Sequence, residues 1–111
     1  ETPVGTVGFT RINQEADWAE LAYWIAPDHQ NEGYGTEAAE LFVEYGFRHR
    51  GFHRIEARVT ETNDPSRRLV EKLGFTQEGV RRESQFADGA YRDVLLFGIL
   101  ADEWAGLTDA D

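Results

Sequence analysis

Cys and Met are both absent from the 111-residue chain, Lys occurs once, at Lys72, and no apolar run is long enough to cross a membrane. Without Cys, the fold has no disulfide, no thiolate metal site and no Cys nucleophile. This composition is compatible with a cytoplasmic protein, which is the location we expect. A primary translation product begins with Met, whereas this chain begins with Glu1. We therefore expect a processed or trimmed chain.

Basic residues are also scarce, with 11 Lys and Arg against 21 Asp and Glu, which gives a formal net charge of −10. Such a surface repels nucleic acid, so we do not expect a protein that binds the phosphate backbone. Any phosphate site has to be local. The acidic excess has two interpretations: solubility through net charge, or adaptation to high salt, where a Debye length of about 3 Å at 1 M screens self-repulsion. The second interpretation predicts a melting temperature that rises with KCl concentration.

The pattern that is present indicates one folded domain over residues 1–111, with 41% hydrophobic and 13% aromatic residues. Residues 4–12 and 18–26 are predicted strands of an antiparallel hairpin. An amphipathic helix over about 34–50 follows, and a third strand begins near Ile55, where apolar and polar residues alternate. Because strand, helix and strand follow one another directly, the second and third strands are expected to be parallel neighbours.

The second half of the chain predicts a helix and a hairpin. Asp64 is the expected N-cap of the helix, and Gly74 is its expected left-handed stop. Two strands over roughly 77–86 and 91–100 are joined at Asp88-Gly89, a dipeptide typical of a tight hairpin turn. The last strand is apolar on both faces and is therefore expected inside the sheet. The resulting order, ββαβαββ, is an α/β fold (α+β with a mixed sheet) with a central βαβ crossover.

The turn between the second strand and the first helix carries two glycines, Gly33 and Gly35. Glycines at such a turn let backbone N–H groups converge on a phosphate at the positive end of a helix. On their own they are weak evidence, because the same two residues suffice to make the turn.

The wider sequence resembles the GNAT superfamily of N-acetyltransferases, in particular its RimJ/RimL-like branch of ribosomal-protein N-acetyltransferases. The motif Gln-x-x-Gly-x-Gly at positions 30–35 is similar to the pyrophosphate-binding motif of that superfamily. The other segments that carry the resemblance are Tyr23-Trp24-Ile25-Ala26-Pro27, Asn63-x-x-Ser66, Glu71-Lys72-Leu73-Gly74-Phe75, Glu78-Gly79, Asp88-Gly89 … Tyr91 … Asp93 and Glu103-Trp104. They occur in one collinear order over nearly the whole chain.

The resemblance implies acetyl-CoA as the cosubstrate and a set of residues that bind it. The backbone amides that would hold the pyrophosphate belong to Gln30, Asn31, Glu32, Gly33, Tyr34, Gly35 and Thr36. The pantetheine arm would pair, as an extra strand does, with the splayed end of the second strand at Trp24, Ile25 and Ala26. Asn63 would hydrogen-bond this arm. Arg68 or Arg67 would meet the nucleotide phosphate, unless it is only a solvated helix residue.

The same resemblance implies direct transfer of the acetyl group to a primary amine, foremost a protein N-terminal α-amine. Glu20 is the candidate base, acting through water, unless it is a solvated residue or an arginine partner. Ser66 would stabilise the departing thiolate, unless it serves only the helix N-terminus. Gln85 stands where RimL-type relatives have Glu and cannot act as a base, so Glu83, expected on the same strand face, is an alternative base. Gln85, Tyr91 and Asp93 would shape the amine pocket, unless Tyr91 and Asp93 serve only core packing or the hairpin.

Two further functions stay open: acetylation of a polyamine or another small amine, and a CoA-binding or dimerising module without catalysis. GNAT domains normally begin with a further strand and one or two helices that wall the acceptor site, and this chain starts without them. Either they are missing from this chain, or a homodimer partner completes the cleft. His29, His49 and His53 lack metal-ligand spacing, so no metal is expected. Neither nucleic acid nor a membrane is an expected partner.

Overall fold

The computed structural model describes residues 5–25 and 34–105, with side chains for 7–22 and 36–105. Five strands and two helices follow one another in the predicted order ββαβαββ, and a short 3₁₀ turn lies at Ala101–Glu103. The predicted mixed α/β fold is therefore confirmed. None of the helices in the described ranges is long and apolar enough to cross a membrane.

The strands form one mixed sheet in the spatial order β1-β2-β3-β5-β4. Their bounds are Gly5–Asn13 (β1), Trp18–Ile25 (β2), Arg54–Thr60 (β3), Thr76–Ala87 (β4) and Ala90–Leu100 (β5). β2 and β3 pair in parallel, as the crossover predicts, and the other neighbours are antiparallel. β5 lies between β3 and β4, which confirms the interior position expected from its two apolar faces.

The parallel ladder between β2 and β3 is short. It ends at the pair Glu20–Glu56, although both strands continue for several residues. Over this stretch β2 stays paired with β1, and β3 stays paired with β5. The sheet therefore opens into a wedge between residues 21–25 of β2 and 57–60 of β3, which we call the β2–β3 wedge.

Both helices pack on one face of the sheet. α1 spans Tyr34–Arg48 and α2 spans Asp64–Lys72. Their apolar residues join alternate residues of β2, β3 and β5 in a single buried cluster, which consists of Ala19, Leu21, Ala39, Val43, Phe52, Ile55, Ala57, Val59, Leu69, Val70, Leu73, Phe75, Phe97 and Ile99. Because strand side chains alternate between faces, the polar residues in between point to the opposite face. Neither described helix covers that polar face.

α2 begins one residue earlier than the sequence predicts. Its N-cap is Asn63, not Asp64: the side-chain Oδ1 of Asn63 accepts a hydrogen bond from the backbone N–H of Ser66 at 3.1 Å. Asp64 is already helical and pairs with Arg67 at 3.0 Å. The error has two causes. Asn and Asp are equally good caps. Pro65 also fits the second helical position as well as the first, because the N–H group at either position has no acceptor within the helix.

The ends of the two helices use left-handed glycines. Gly74 has a φ of +100°, and the N–H of Phe75 donates to the C=O of Val70 at 3.0 Å. This bond defines a Schellman motif, so the predicted stop is confirmed. α1 ends at Arg48, two residues before its predicted end, and Gly51 follows in the turn with a φ of +72°.

The β4–β5 hairpin turns at the predicted dipeptide. Asp88 and Gly89 have φ values of +53° and +81°, the two positive values that a type I′ turn requires. Arg92 supports the turn, since its guanidinium donates to the C=O groups of Ala87 and Asp88 at 3.0 and 3.2 Å.

β4 also carries a bulge, residues 82–84, which lies opposite Asp93 alone. Glu83 in this bulge has a φ of +51°, and its N–H donates to Oδ1 of Asp93 at 2.9 Å. The N–H of Asp93 in turn donates to Oε2 of Glu61 at 2.8 Å. The bulge interrupts the alternation of side chains along β4. The expectation that Glu83 and Gln85 share a face assumed regular alternation between the two residues, and the bulge removes the basis for it.

Candidate active site

The β2–β3 wedge opens into a cleft of about 180 Å³. The described residues that line it are Glu20, Leu21, Ala22, Ala57, Arg58, Val59, Thr60, Asn63, Ser66 and Val70. Three residues that the sequence singled out, Glu20, Asn63 and Ser66, are thus brought together. The strand edges that face each other across the wedge have no partner strand among the described residues. An extended ligand can therefore add main-chain hydrogen bonds there, as in β-strand addition.

Glu20 projects from β2 between two arginines. One carboxylate oxygen lies 3.3 Å from Nε of Arg11, and the other lies 3.5 Å from Nε of Arg58. The side chain is only 13% exposed, so these positive charges compensate for much of the lost hydration. The arginine partnership that the sequence left open is present, and the same carboxylate borders the cleft.

Asn63 and Ser66 reach the cleft from the start of α2. The cap bond occupies Oδ1 of Asn63, whereas the Nδ2 amide of the same side chain carries two N–H donors. Ser66 is partly buried in the first turn of the helix. Asn63 thus caps the helix with its side-chain oxygen and also lines the cleft.

Much of the predicted coenzyme turn falls outside the described residues, namely Ala26, Gln30, Asn31, Glu32 and Gly33. Tyr34, Gly35 and Thr36 form the first residues of α1, where the backbone N–H groups have no acceptor within the helix. Trp24 and Ile25 contribute the backbone of the last residues of β2, at the edge of the wedge. The described ends of the predicted turn are therefore a strand edge and a helix N-terminus.

A second cleft lies on the polar face of the sheet, and we call it the face cleft. Its lining residues are Arg58, Thr60, Arg81, Ser84, Gln85 and Val94. Gln85 lies in it with its Oε1 accepting a hydrogen bond from Oγ1 of Thr60 at 2.7 Å, which ties β4 to the end of β3. Because Arg58 and Thr60 line both clefts, the face cleft and the wedge are continuous at β3.

The other candidates lie apart from these clefts. Glu83, in the bulge, lines neither of them. Tyr91 is 66% exposed near the hairpin turn, with its ring centroid 5.2 Å from that of Phe86. Arg68 is exposed on α2. Among the described residues, no group of three His, Asp or Glu side chains could hold a metal ion.

The sequence did not single out the charged network that extends the face cleft. Arg54 donates to Glu56 through Nε and to Glu78 through Nη1, both at 2.9 Å, with a second bond from Nη2 to Glu78. The bonds to Glu78 raise the pKa of Arg54 and lower the pKa of the Glu78 carboxyl. Arg58 and Arg81 line the same region. Alternation along β3 indicates that Arg54, Glu56 and Arg58 share a face. No local sequence pattern, however, predicts that Glu78 of β4 binds Arg54.

Comparison with known proteins places this geometry in a family. The model of the acetyltransferase (GNAT) domain matches residues 1–76. The uncharacterized N-acetyltransferase p20 of Bacillus licheniformis is 39% identical over 103 residues, which cover 93% of this chain and 58% of that protein. Spermidine N(1)-acetyltransferase of Escherichia coli K12 is 30% identical over 100 residues, which cover 90% of this chain and 54% of that protein. The chain thus spans little more than half the length of the curated relatives it matches.

A solved acetyltransferase structure also resembles this chain. RimJ of Mycobacterium smegmatis, in complex with CoA-disulfide, superimposes with a TM-score of 0.83 and 34% sequence identity, covering 90% of this chain and 48% of that one. The resemblance read from the sequence is confirmed, because the family match covers more than half of the chain and a ribosomal-type enzyme is among its structural neighbours. On these grounds the chain belongs to the GNAT acetyltransferase family.

Proposed function

We propose that this chain transfers an acetyl group directly from acetyl-CoA to the N-terminal α-amine of a protein. The observation that carries the proposal is the parting of β2 and β3 beside Glu20, Asn63 and Ser66. The cleft combines the groups that the reaction requires. The unpaired strand edge and the amide of Asn63 can bind the pantetheine arm of the cosubstrate. The carboxylate of Glu20 can accept the amine proton, and the hydroxyl of Ser66 can stabilise the leaving thiolate. We further propose that residues 1–111 act as a single acetyl-CoA-binding domain, located in the cytoplasm.

In this proposal the pantetheine arm pairs with the edge of β2 at Trp24 and Ile25, and the next residue of the chain, Ala26, also contacts the arm. Asn63 donates from Nδ2 to an amide carbonyl of the arm, while its Oδ1 stays in the cap bond. The N-terminus of α1 carries partial positive charge and unbonded N–H groups, so the pyrophosphate is expected at residues 30–36. The local dipole matters here because the chain carries a net charge of −10 and repels an anionic coenzyme at longer range.

The transfer step needs a base for the amine and a group that stabilises the leaving thiolate. The amine has to be neutral to attack the thioester carbonyl; as its N–C bond forms, its proton passes through water to Glu20. When the tetrahedral intermediate collapses, the C–S bond breaks, and the thiolate leaves with a hydrogen bond from the hydroxyl of Ser66. Its proton then comes from water. Glu83 is the alternative base if its carboxylate reaches the cleft when the substrate is bound.

The choice of an α-amine is supported by its ordinary pKa, which is about 7.7–8.0 against about 10.4 for Lys. Because of this lower value, such an amine needs little help to lose its proton. The likeness to RimJ supports a protein acceptor, since the RimJ/RimL-like branch that the sequence resembles is one of ribosomal-protein N-acetyltransferases. The likeness to spermidine N(1)-acetyltransferase favours a polyamine as the second candidate. A module that binds CoA without catalysis is the third.

Two measurements separate these functions. Titration calorimetry with acetyl-CoA is expected to give one-site binding; no heat and no thermal shift would refute the coenzyme assignment. Release of free CoA thiol is then followed with N-terminal peptides, internal-lysine peptides of the same composition, and spermidine. Turnover of the N-terminal peptides alone supports the proposal, turnover of spermidine supports the second candidate, and binding without turnover of any amine supports the module.

A further inference from the structure

Two arginines stand on the polar sheet face on either side of an apolar strip. Arg58 on β3 is paired with Leu96 of β5, and Arg81 on β4 is paired with Val94 of the same strand. Since β5 lies between β3 and β4 and Val94 is two residues from Leu96, the backbones of the two arginines are two strand spacings across and two residues along the sheet, roughly 12 Å, apart. Both side chains line the same clefts. Their long side chains can therefore converge on one group held over β5.

The two arginines are less neutralised than their neighbour Arg54. Arg54 is held by both Glu56 and Glu78. Arg58 has only Glu20, at 3.5 Å, and its side chain is 37% exposed. The side chain of Arg81 is exposed and makes no ion pair or hydrogen bond with any residue that the structure describes.

The rest of the face cleft is suited to an anion. Besides the two arginines, its described lining consists of Thr60, Ser84, Gln85 and Val94, none of which carries a negative charge. Hydroxyl and amide groups can supply further donors to a carboxylate. A polycationic acceptor would instead need carboxylates around it, because like charges in a shared cleft repel. This local positive charge contrasts with the net charge of −10 of the chain.

The face cleft joins the wedge through Arg58 and Thr60, so a group bound between the arginines lies next to the predicted reacting centre. We propose that Arg58 and Arg81 bind a carboxylate of the acceptor. The acceptor is then an amine with a carboxylate within a few bonds: a peptide with Asp or Glu next to its N-terminus, or a free amino acid. This inference rests on the proposed transfer to an α-amine and specifies which α-amines are preferred.

The test uses three hexapeptide amides that differ only at the second residue, which is Glu, Gln or Lys, together with free alanine as the amino-acid arm. Binding of fluorescent peptides to the chain saturated with CoA is measured by anisotropy, and acetylation is measured by thiol release. We expect the Glu peptide to bind about tenfold more tightly than the Gln peptide, with the Lys peptide weakest, because charge-assisted bonds to guanidinium groups are strong. Raising the KCl concentration should reduce this difference.

Arg81→Gln is expected to remove the preference for Glu, and Arg81→Glu to reverse it in favour of Lys. Arg82→Gln is the matched control, since Arg82 is the exposed neighbour in the bulge and lines neither cleft; it should keep the preference. Tighter binding of free alanine than of the Glu peptide would identify the amino acid as the source of the carboxylate.

The two readouts separate the inference from the proposed function. Equal binding and equal acetylation of the three peptides would overturn the anion site and leave the transfer to α-amines standing. Preferential binding of the Glu peptide without acetylation would support the anion site and refute the proposed function. Preference for the Lys peptide, or an unchanged preference in Arg81→Gln, would contradict the assignment of these arginines.

Discussion

Asn63 accepts, through its side-chain Oδ1, a hydrogen bond from the backbone N–H of Ser66 at 3.1 Å, and both residues line the β2–β3 wedge. The bond caps α2 and at the same time fixes the position of Ser66 relative to the cleft. A change at Asn63 therefore acts on the stability of the helix and on the proposed coenzyme site together, and the two effects have to be separated by the choice of substitution.

Asn63→Ser keeps a capping oxygen but removes the amide donors, whereas Asn63→Ala removes both. We expect the serine variant to keep the free energy of unfolding within about 0.5 kcal/mol, and the alanine variant to lose about 1 kcal/mol. Both should weaken acetyl-CoA binding about tenfold, the effect of one lost hydrogen bond. Urea denaturation and calorimetry measure the two quantities. A serine variant that binds acetyl-CoA like the parent chain would restrict Asn63 to the cap.

The ion pair of Arg54 with Glu78 predicts a dependence of stability on pH. Because the pKa of Glu78 is lowered by its bonds to Arg54, the pair stabilises the fold above the unfolded pKa of about 4.3, and this contribution is lost as the pH falls through the folded pKa. Glu78 is 40% exposed, so we expect Glu78→Gln to cost less than about 1 kcal/mol at pH 7. The difference from the parent chain should shrink as the pH falls below the unfolded pKa of about 4.3.

The measurement is urea unfolding from pH 7 to pH 3, with Glu71→Gln as the control. Glu71 is an exposed carboxylate on α2 with no ion pair in the described part of the chain. Its replacement should leave the pH profile unchanged. If Glu78→Gln and Glu71→Gln behaved alike at every pH, the Arg54–Glu78 pair would contribute nothing to stability.

The absence of a side chain at Gly98 makes room for the Arg54–Glu78 ion pair. A Cβ at position 98 would lie 2.6 and 2.8 Å from the Nη atoms of Arg54 and 2.8 Å from Oε1 of Glu78. Because a side-chain end can move, Gly98→Ala should displace the guanidinium without unfolding the sheet, at a cost of about 1 kcal/mol. The Glu78→Gln and Gly98→Ala effects should be less than additive, since both break the same pair. Gly79→Ala is the control, because its Cβ would meet only Leu96 at 3.8 Å.

The order and type of the elements followed from local signals. Alternation along β3, helical spacing in α1 and the Asp88-Gly89 turn are each determined within a few residues, and all are confirmed. The cap of α2 was wrong by one residue, because Asn63 and Asp64 are equivalent as local signals and only the tertiary geometry selects between them.

The site was less predictable because it depends on contacts between distant segments. The bulge at Glu83 is stabilised by Asp93, which is ten residues away in sequence, and through Asp93 by Glu61, which is further away. No local sequence pattern predicts this bulge. Arg81 likewise enters the face cleft only because β4 lies two strands away from β3. Glu20, Asn63 and Ser66 were identified in advance because they belong to motifs of a recognisable family, not because their spacing in sequence brings them together.

Gly46 permits the close approach of α1 to the sheet. A Cβ there would lie 2.8 Å from Cζ of Phe9 and 3.1 Å from Cδ1 of Ile55. Alanine normally improves a helix by about 1 kcal/mol over glycine, but overpacking costs about 1–3 kcal/mol. We expect Gly46→Ala to destabilise the fold by about 1 kcal/mol in urea unfolding. Gly8→Ala, whose Cβ would meet nothing within 4 Å, should be neutral or slightly stabilising. A stabilised Gly46→Ala variant would mean that α1 shifts without cost.

Glu20→Gln distinguishes the proposed base from a purely structural arginine partner. If Glu20 takes the amine proton, kcat falls about 100-fold with the best amine of the panel while acetyl-CoA binding is retained. The control is Glu56→Gln, a glutamate on the same face that is bonded to Arg54 and should keep kcat. If Glu20→Gln kept its kcat and only lowered the melting temperature, Glu20 would serve only as the ion-pair partner of Arg11 and Arg58. If Glu83→Gln lost kcat instead, Glu83 in the bulge would be the base.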